Sequence, residues 1–389
     1  MVRDNQKKIV MVTHGCFPSD PRIEKESSSL LNAGYQVYVY ANGNVSEQKR
    51  SSFMDENIRY FSLQYSPLFL FFILPMTLRK WFLKDGIKLV HIQDTPIALP
   101  TIIAAASLKI PIVYDVHEIW SKMVAEDAFV PLFQKILLII WNKISEVAGC
   151  RASKAVLATS DEMASYLINT YNIPREKVHV IRNVSDRIKI KGVPKIELPT
   201  NCLKVCYVGN MNSGELLLNT VIESAQYVRN RTNLRIYFIG EGKIRPQLEE
   251  LTRKLHVEDC VEFTGWMPKK KAYAYILACD VCLLPYRKTF NTDVGSPHKL
   301  FEYLILGKPV MMTSLSSCVR MFGDVAFIWD PPTAKKLAQI IDKLLKDADL
   351  RHTIGEAGKA LVEQKYLWEF EQKKLLKAYN TLLNVNIEK

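Results

Sequence analysis

Short apolar runs recur along this chain at the spacing of strands separated by helices, and that alternation limits the possible folds more than any other feature. Lys8-Ile9-Val10-Met11-Val12-Thr13-His14 is an apolar strand closed by Gly15, and after a loop running to Ser19, Asp20-Pro21 reads as a helix start. Proline at the first helical position loses no hydrogen bond. The helix over residues 21–33 stops at Gly34, and residues 36–40 follow as the second strand. Further strands are predicted at residues 58–62, 89–93, 112–116, 155–159 and 178–181, with helical segments between them. Such a rhythm requires a parallel sheet covered on both faces, so the first half is Rossmann-like. The glycine fingerprint of dinucleotide enzymes is absent after the first strand, which removes support for a dehydrogenase.

Residues 186–201 break the rhythm with Pro194 and Pro199 and no helical period, and an interdomain linker is expected there. Strands then resume at residues 204–209, 234–240, 261–265 and 281–285, three of them ending in Gly209, Gly240 and Gly265. Glycine at the carboxyl end of a parallel strand lets backbone approach a ligand. A chain of 389 residues suits two domains of nearly two hundred each.

Residues 292–310 read as loop, helix, tight turn and strand. Ser296-Pro297 is expected to start the helix, with the serine oxygen capping free amides; Leu300, Phe301, Leu304 and Leu306 form its apolar stripe, and Gly307 stops it ahead of the strand Val310-Met311-Met312. Lys299 sits in the first turn, where a cation opposes the helix dipole, and Glu302 follows on the same face. The pair is either an ordinary surface ion pair or a binding site. In the second case free amides and a lysine hold a phosphate, while the carboxylate accepts from vicinal hydroxyls such as those of a ribose.

The net charge of +12 calls for nucleic acid, anionic lipid or a phosphorylated substrate as partner. No nucleic-acid motif is present, only charge. The run over residues 67–76, with Phe69, Phe71 and Phe72, is too short to span a bilayer and is followed by Arg79, Lys80, Trp81 and Lys84. It reads either as a core helix with a basic face or as a segment lying on an anionic membrane, and residues 130–143 repeat the pattern. The eight cysteines, Cys16 among them, are scattered, no secretory signal precedes them, and reduced thiols in a cytoplasmic protein are expected. Cys279-Asp280-Val281-Cys282 has metal-pair spacing inside a buried-strand pattern, where core cysteines are the expectation.

Asp115-Val116-His117-Glu118 lies at a strand's carboxyl end, where α/β sheets present ligand-binding groups, although His117 could also simply bond within its own loop. Taken together, Glu302 with Gly307-Lys308-Pro309-Val310, the strand-end His117, the His14-Gly15 loop, the loop over residues 209–214, Gly240-Glu241-Gly242-Lys243 and Gly265-Trp266-Met267-Pro268 resemble the motifs of glycosyltransferase family 4. The resemblance spans essentially the whole chain. It implies a GT-B fold: an acceptor-binding domain at residues 1–190 and a nucleotide-sugar domain at 200–368, two Rossmann-like halves facing across a cleft, with a helix at 369–389 packing back on the first. It also implies retaining sugar transfer from a UDP or GDP sugar to a hydroxyl on a lipid-linked or polysaccharide glycan precursor, without metal or other cofactor, in the cytoplasm or at the inner face of the membrane. His117 would then meet the donor sugar, and Gly15, Gly209, Asn210, Gly240, Gly242, Lys299 and Glu302 would bind the nucleotide sugar. Two departures stand out. The first of the family's paired glutamates falls at Val294, beside Asp293, and the arginine and lysine usual in the 209–214 loop are missing. They leave open a donor-site-degenerate binding or scaffold protein, and a sugar-nucleotide epimerase of the same fold is a third reading.

Overall fold

The computed structural model describes residues 8–15, 20–43, 57–63, 66, 68–127, 130–187, 192–212 and 214–383. Cys16, Ser19, Pro67 and Ser213, each part of a run read above, lie outside the described residues. The chain packs as two compact units, Met1–Arg182 with Glu371–Lys389, and Asn183–Phe370.

Unit 1 carries seven strands: β1 (Lys8–Thr13), β2 (Gln36–Asn42), β3 (Ile58–Phe61), β4 (Leu89–Gln93), β5 (Ile112–Val116), β6 (Ala155–Ala158) and β7 (Val178–Val180). They form one parallel sheet in the order β3-β2-β1-β4-β5-β6-β7, with Ile9 registered between Val37 and Leu89. Every residue of β4 and β5 is buried, as a strand with helices on both faces must be. The order changes direction between β1 and β4. The first helix, Pro21–Asn32, begins where expected, with Asp20 accepting from the Arg22 amide.

Unit 2 repeats the plan with β8 (Leu203–Val208), β9 (Leu234–Ile239), β10 (Val261–Gly265), β11 (Val281–Leu284), β12 (Val310–Thr313) and β13 (Phe327–Trp329), in the order β10-β9-β8-β11-β12-β13. Here the direction changes between β8 and β11. Strand β13 was not anticipated: it is three residues long, too short to show a period, and it is fixed by pairing with β12 and by the buried Trp329, whose indole donates to the Thr333 carbonyl at 2.8 Å. Cys206, Cys279 and Cys282 are buried free thiols, with Cys206 Sγ 3.6 Å from Cys282 Sγ, so the Cys-x-x-Cys pair is core.

The last helix, Trp368–Leu383, leaves unit 2 at Phe370 and packs in unit 1 from Glu371 onward. Glu371 is fully buried, accepting from the Arg182 amide at 3.1 Å and from Lys374 at 2.8 Å. Tyr379, also fully buried, bonds through its hydroxyl to His91 Nδ1.

Among the described residues no helix is long and apolar enough to cross a membrane. Part of the run at 67–76 forms a π-helical turn, Phe69–Ile73, leading into the helix Leu74–Asp85. Phe71 and Phe72 are exposed, but Phe69 is buried, which corrects the expectation that all three could insert into lipid: the stretch is amphipathic, and Phe69 is on its inner side with Leu70, Leu74 and Leu78.

In unit 2 the helix Ala348–Lys365 packs closely on the turn that ends the helix His298–Ile305. A Cβ on Gly355 would overlap the Gly307 carbonyl and one on Gly358 would lie 2.6 Å from Leu304 Cδ2. Backbone cannot yield as a flexible side chain can. Gly355→Ala therefore loses about 1–3 kcal/mol to overpacking, more than the gain of roughly 1 kcal/mol that alanine brings to a helix interior. A denaturant melt showing the variant as stable as the native chain would contradict this packing.

Candidate functional site

Each sheet carries a polar cluster at its carboxyl end where the strand order changes direction, which is where open α/β sheets bind ligands. In unit 2 the cluster is built on the helix His298–Ile305. Lys299 extends to the end of β8, where its Nζ donates to Tyr207 Oη at 3.2 Å and lies 4.9 Å from that ring's centroid. Gly209 makes this possible, since a Cβ there would overlap the ammonium group. Burial pulls the Lys299 pKa down to about 8 from its ordinary 10.5, against an opposing pull from Glu302. A cation held in so little solvent favours an anionic ligand.

Glu302 has other partners. Its Oε1 accepts from Tyr273 Oη at 2.8 Å and lies 3.0 Å from Lys269 Nζ and 3.6 Å from His298 Nδ1. Burial works to raise its pKa, but His298, Lys269 and Tyr273 outweigh burial and bring it down to about 2. Glu302 is thus a fixed carboxylate, and the surface-pair reading of Lys299 with Glu302 does not describe either residue. The strand-end glycines let backbone approach backbone. A Cβ on Gly240 would overlap the Gly209 carbonyl and one on Gly242 the Met211 backbone, so the two loops lie against each other, zipped by Met211 N to Glu241 O and Ile244 N to Met211 O. Asn210 is exposed beside them, and its carbonyl accepts from Tyr207 Oη.

Two local expectations need correction. Ser296 does not cap the helix: the cap is Pro297, in extended conformation, which leaves the serine one residue too far back, with its Oγ buried and unpartnered. The supposed loop before it contains a short helix, Phe290–Val294, closed by a capping box between Thr289 and Thr292. Asp293 is committed elsewhere: its two oxygens accept from the amide and hydroxyl of Ser316, at 2.6 and 2.9 Å, and Lys288 Nζ lies 3.2 Å away.

In unit 1, His117 lies just past β5 with its Nε2 2.8 Å from Asp115 Oδ2. Burial and Arg22 lower its pKa, yet the Asp115 carboxylate prevails and the net shift is upward, holding the ring toward its cationic form. Asp115 itself, despite burial, is held well below the usual carboxylate range by His117 and His91. Gly15 donates its amide to Thr13 Oγ1 at 3.0 Å, and beside it His14 stands edge-on to Trp120 with ring centroids 4.8 Å apart. Sequence reasoning missed Arg22 and Asp94, 3.6 Å apart in this cluster, although Arg22 repeats the signal of Lys299: a cation in the first turn of a helix. Behind His117, Glu26, His91 and Asp115 bring ligand-type atoms within 4.8 Å of one another in a buried group. Those atoms bond among themselves and their neighbours: Gln93 donates to Glu26 at 2.7 Å, and His91 Nε2 lies 3.5 Å from Asp115. Burial, and Asp115 nearby, raise the Glu26 pKa to about 7.

The sequence model of Glycosyltransferase Family 4 matches residues 23–187, and that of Glycosyl transferases group 1 matches residues 191–361. The N-acetylgalactosamine-N,N'-diacetylbacillosaminyl-diphospho-undecaprenol 4-alpha-N-acetylgalactosaminyltransferase of Campylobacter jejuni is 24% identical over 210 residues, 52% of this chain and 54% of that protein. The chain spans about half to two thirds of the length of such curated relatives. Sucrose-phosphate synthase from Thermosynechococcus elongatus matches with a TM-score of 0.76 at 16% identity, covering 98% of this chain and 100% of that one. Anabaena HepE, solved with UDP-glucose, matches at 0.72 and 16%, covering 96% and 99%. At that identity the likeness shows the fold alone, two Rossmann-like domains of the GT-B type.

The buried Lys299 has a consequence for stability. Its folded pKa of about 8 lies below the ordinary 10.5, so the folded chain holds fewer protons than the unfolded one between those values, and stability rises with pH across that window. Lys299→Met removes the desolvated charge and raises the ligand-free stability at neutral pH by on the order of 2 kcal/mol. A denaturant titration in which the variant is weaker than the native chain would show that Lys299 is not a desolvated cation.

Proposed function

This chain belongs to the family 4 type glycosyltransferases of the GT-B fold, and from that membership we propose that it moves a sugar from a UDP or GDP sugar to a hydroxyl of a lipid-linked or polysaccharide glycan precursor. Transfer proceeds with retention at the anomeric carbon, needs no metal, and takes place in the cytoplasm at the inner face of an anionic membrane. The observation that carries the reading is the buried Lys299 ammonium in the first turn of the helix His298–Ile305, beside the Gly209 backbone on which the Gly240 loop packs. As the nucleoside diphosphate departs, charge develops on its phosphate oxygens. Free amides at the helix start and Lys299 stabilise it, in a site already poor in water. Glu302, a fixed carboxylate whose described partners all meet Oε1, accepts from the ribose hydroxyls. In unit 1, His117, held toward its cationic form by Asp115, donates to a hydroxyl of the donor sugar.

Support also comes from relatives: the Campylobacter enzyme is named for a diphospho-undecaprenol acceptor, and HepE was solved with UDP-glucose. One observation favours a second reading. Val294 stands where the family has its first glutamate and Asp293 is spent on Ser316, so a donor site that binds without transferring is the alternative. Calorimetry with UDP- and GDP-sugars, followed by turnover on isolated lipid-linked acceptors, separates the two: binding with no product on any acceptor sinks the transfer reading.

Two variants test the roles. Glu302→Gln weakens donor affinity by about 1.5–3 kcal/mol, the worth of a charge-assisted bond, whereas His117→Ala lowers kcat more than it lowers nucleotide affinity. A folded Glu302→Gln protein of native affinity removes Glu302 from the site, and native turnover in His117→Ala returns that histidine to a structural role. Nucleotide affinity also carries the Lys299 signature, falling about tenfold between pH 7 and pH 9 as the ammonium loses its proton near pH 8. A flat profile in the native protein would disconnect Lys299 from the diphosphate.

A further inference from the structure

The exposed apolar surface of unit 1 is concentrated, not scattered. Among the described residues sixteen large hydrophobic side chains are exposed, and only Tyr227, Trp266 and Val319 lie outside the helical stretches 68–85, 98–106 and 132–152. These stretches are neighbours in space. The helix Ala98–Ala106 packs against both the helix Leu74–Asp85 and the helix Leu132–Ala152, with its own Ile103 exposed, and Phe71 meets Trp141 edge-on with ring centroids 5.3 Å apart. The outermost side chains are Phe72, Met76, Leu132 and Phe133, at 62%, 70%, 73% and 74% exposure. A monomeric surface seldom gathers so much apolar area without using it.

The charges on this ridge have one sign. Residues 68–84, 98–106 and 132–144 contain no acidic residue and five basic ones, Arg79, Lys80, Lys84, Lys135 and Lys143. The nearest acid in the first stretch, Asp85, is largely buried and paired with Arg59. Past Ile144 the same long helix lines a shallow groove of about 580 Å³ with an apolar floor, flanked by Lys143 and Arg151. A second copy of this face would bring cation against cation, which disfavours self-association through it. Protruding aromatic and aliphatic tips set among cations instead match a surface with anionic headgroups over hydrocarbon.

We infer that this three-helix ridge is where the protein docks on an anionic bilayer, with Phe72, Met76, Leu132 and Phe133 entering the acyl boundary and Arg79, Lys80, Lys84 and Lys135 meeting lipid phosphates. The inference deepens the proposed function by giving the surface through which a lipid-linked acceptor is met, and it rests on that reading only for its purpose. The partner is identified by charge and by the paired apolar tips.

The test is cosedimentation of the full chain with vesicles of phosphatidylglycerol and phosphatidylcholine, against phosphatidylcholine alone. Binding is expected to the first only, to weaken with salt, and to survive in part at high salt. Replacing Arg79, Lys80 and Lys84 together by glutamine lowers vesicle affinity by about 100-fold, since each basic residue near the surface contributes roughly fivefold. Phe72→Ser with Phe133→Ser removes the salt-resistant part. All these positions are exposed, so unchanged melting temperature and nucleotide affinity serve as the folding control. The inference is overturned if the native chain ignores anionic vesicles, if the variants bind as it does, or if size exclusion shows a native dimer that the Phe72 and Phe133 variant abolishes. Any of these with nucleotide-sugar binding intact leaves the proposed function standing and removes only the docking surface.

Discussion

The close approach of the Lys299 ammonium to the Gly209 backbone is the contact on which the rest of unit 2 depends. A lysine at the start of a helix, with most of its hydration removed, is unfavourable in an empty protein, and the surroundings show how it is held. Tyr207 gives it a hydroxyl and a ring face, Gly209 gives it room, and Gly240 lets the next loop close over the same backbone. Beneath, Gly355 and Gly358 bring a long helix against the far end of the lysine's own helix. A side chain at Gly209 or Gly240 would move the cation or the backbone beside it, and one at Gly355 the turn that ends the helix.

Unit 1 handles its charges differently. Arg22 also sits in the first turn of a helix, but it is answered by Asp20 and Asp94, and His117 is answered by Asp115. Behind them Glu26, Gln93 and His91 continue the network inward to Tyr379. One unit therefore holds a cation with little protein charge near it, and the other a set of mutually compensated charges. Of the two clusters, the first has the character that an anionic ligand requires, a cation stripped of solvent.

Much of the fold was legible because parallel strands buried on both faces are continuous apolar runs: all of β1, β4 and β5 are plain in the sequence. What escaped was short or nonlocal. Strand β13 has three residues and no period, and the helix Phe290–Val294 is announced only by the Thr289 and Thr292 pair. At the sites, Lys299 and Glu302 stood out through the oddity of a cation in a first turn, but their partners did not, since Tyr207 lies 92 residues from Lys299 and Tyr273 29 residues from Glu302. Phe69 was read with its neighbours because a run of aromatic residues does not say which of them faces inward until the helix phase is known.

The helix Trp368–Leu383 has an implication for the order of assembly. Unit 2 is one unbroken segment, Asn183–Phe370, whereas unit 1 needs Glu371 and Tyr379 from the far end of the chain to satisfy Arg182 and His91. During synthesis, which delivers the amino-terminal part first, the seven strands of unit 1 emerge long before those two side chains do. Until then His91 Nδ1 lacks its bond to Tyr379 and the Arg182 amide its bond to Glu371, and a lost hydrogen bond in a core is costly. The first unit to be made is thus the last to be finished, and a chain cut between residues 370 and 379 would carry the whole of unit 2 but a unit 1 without Tyr379.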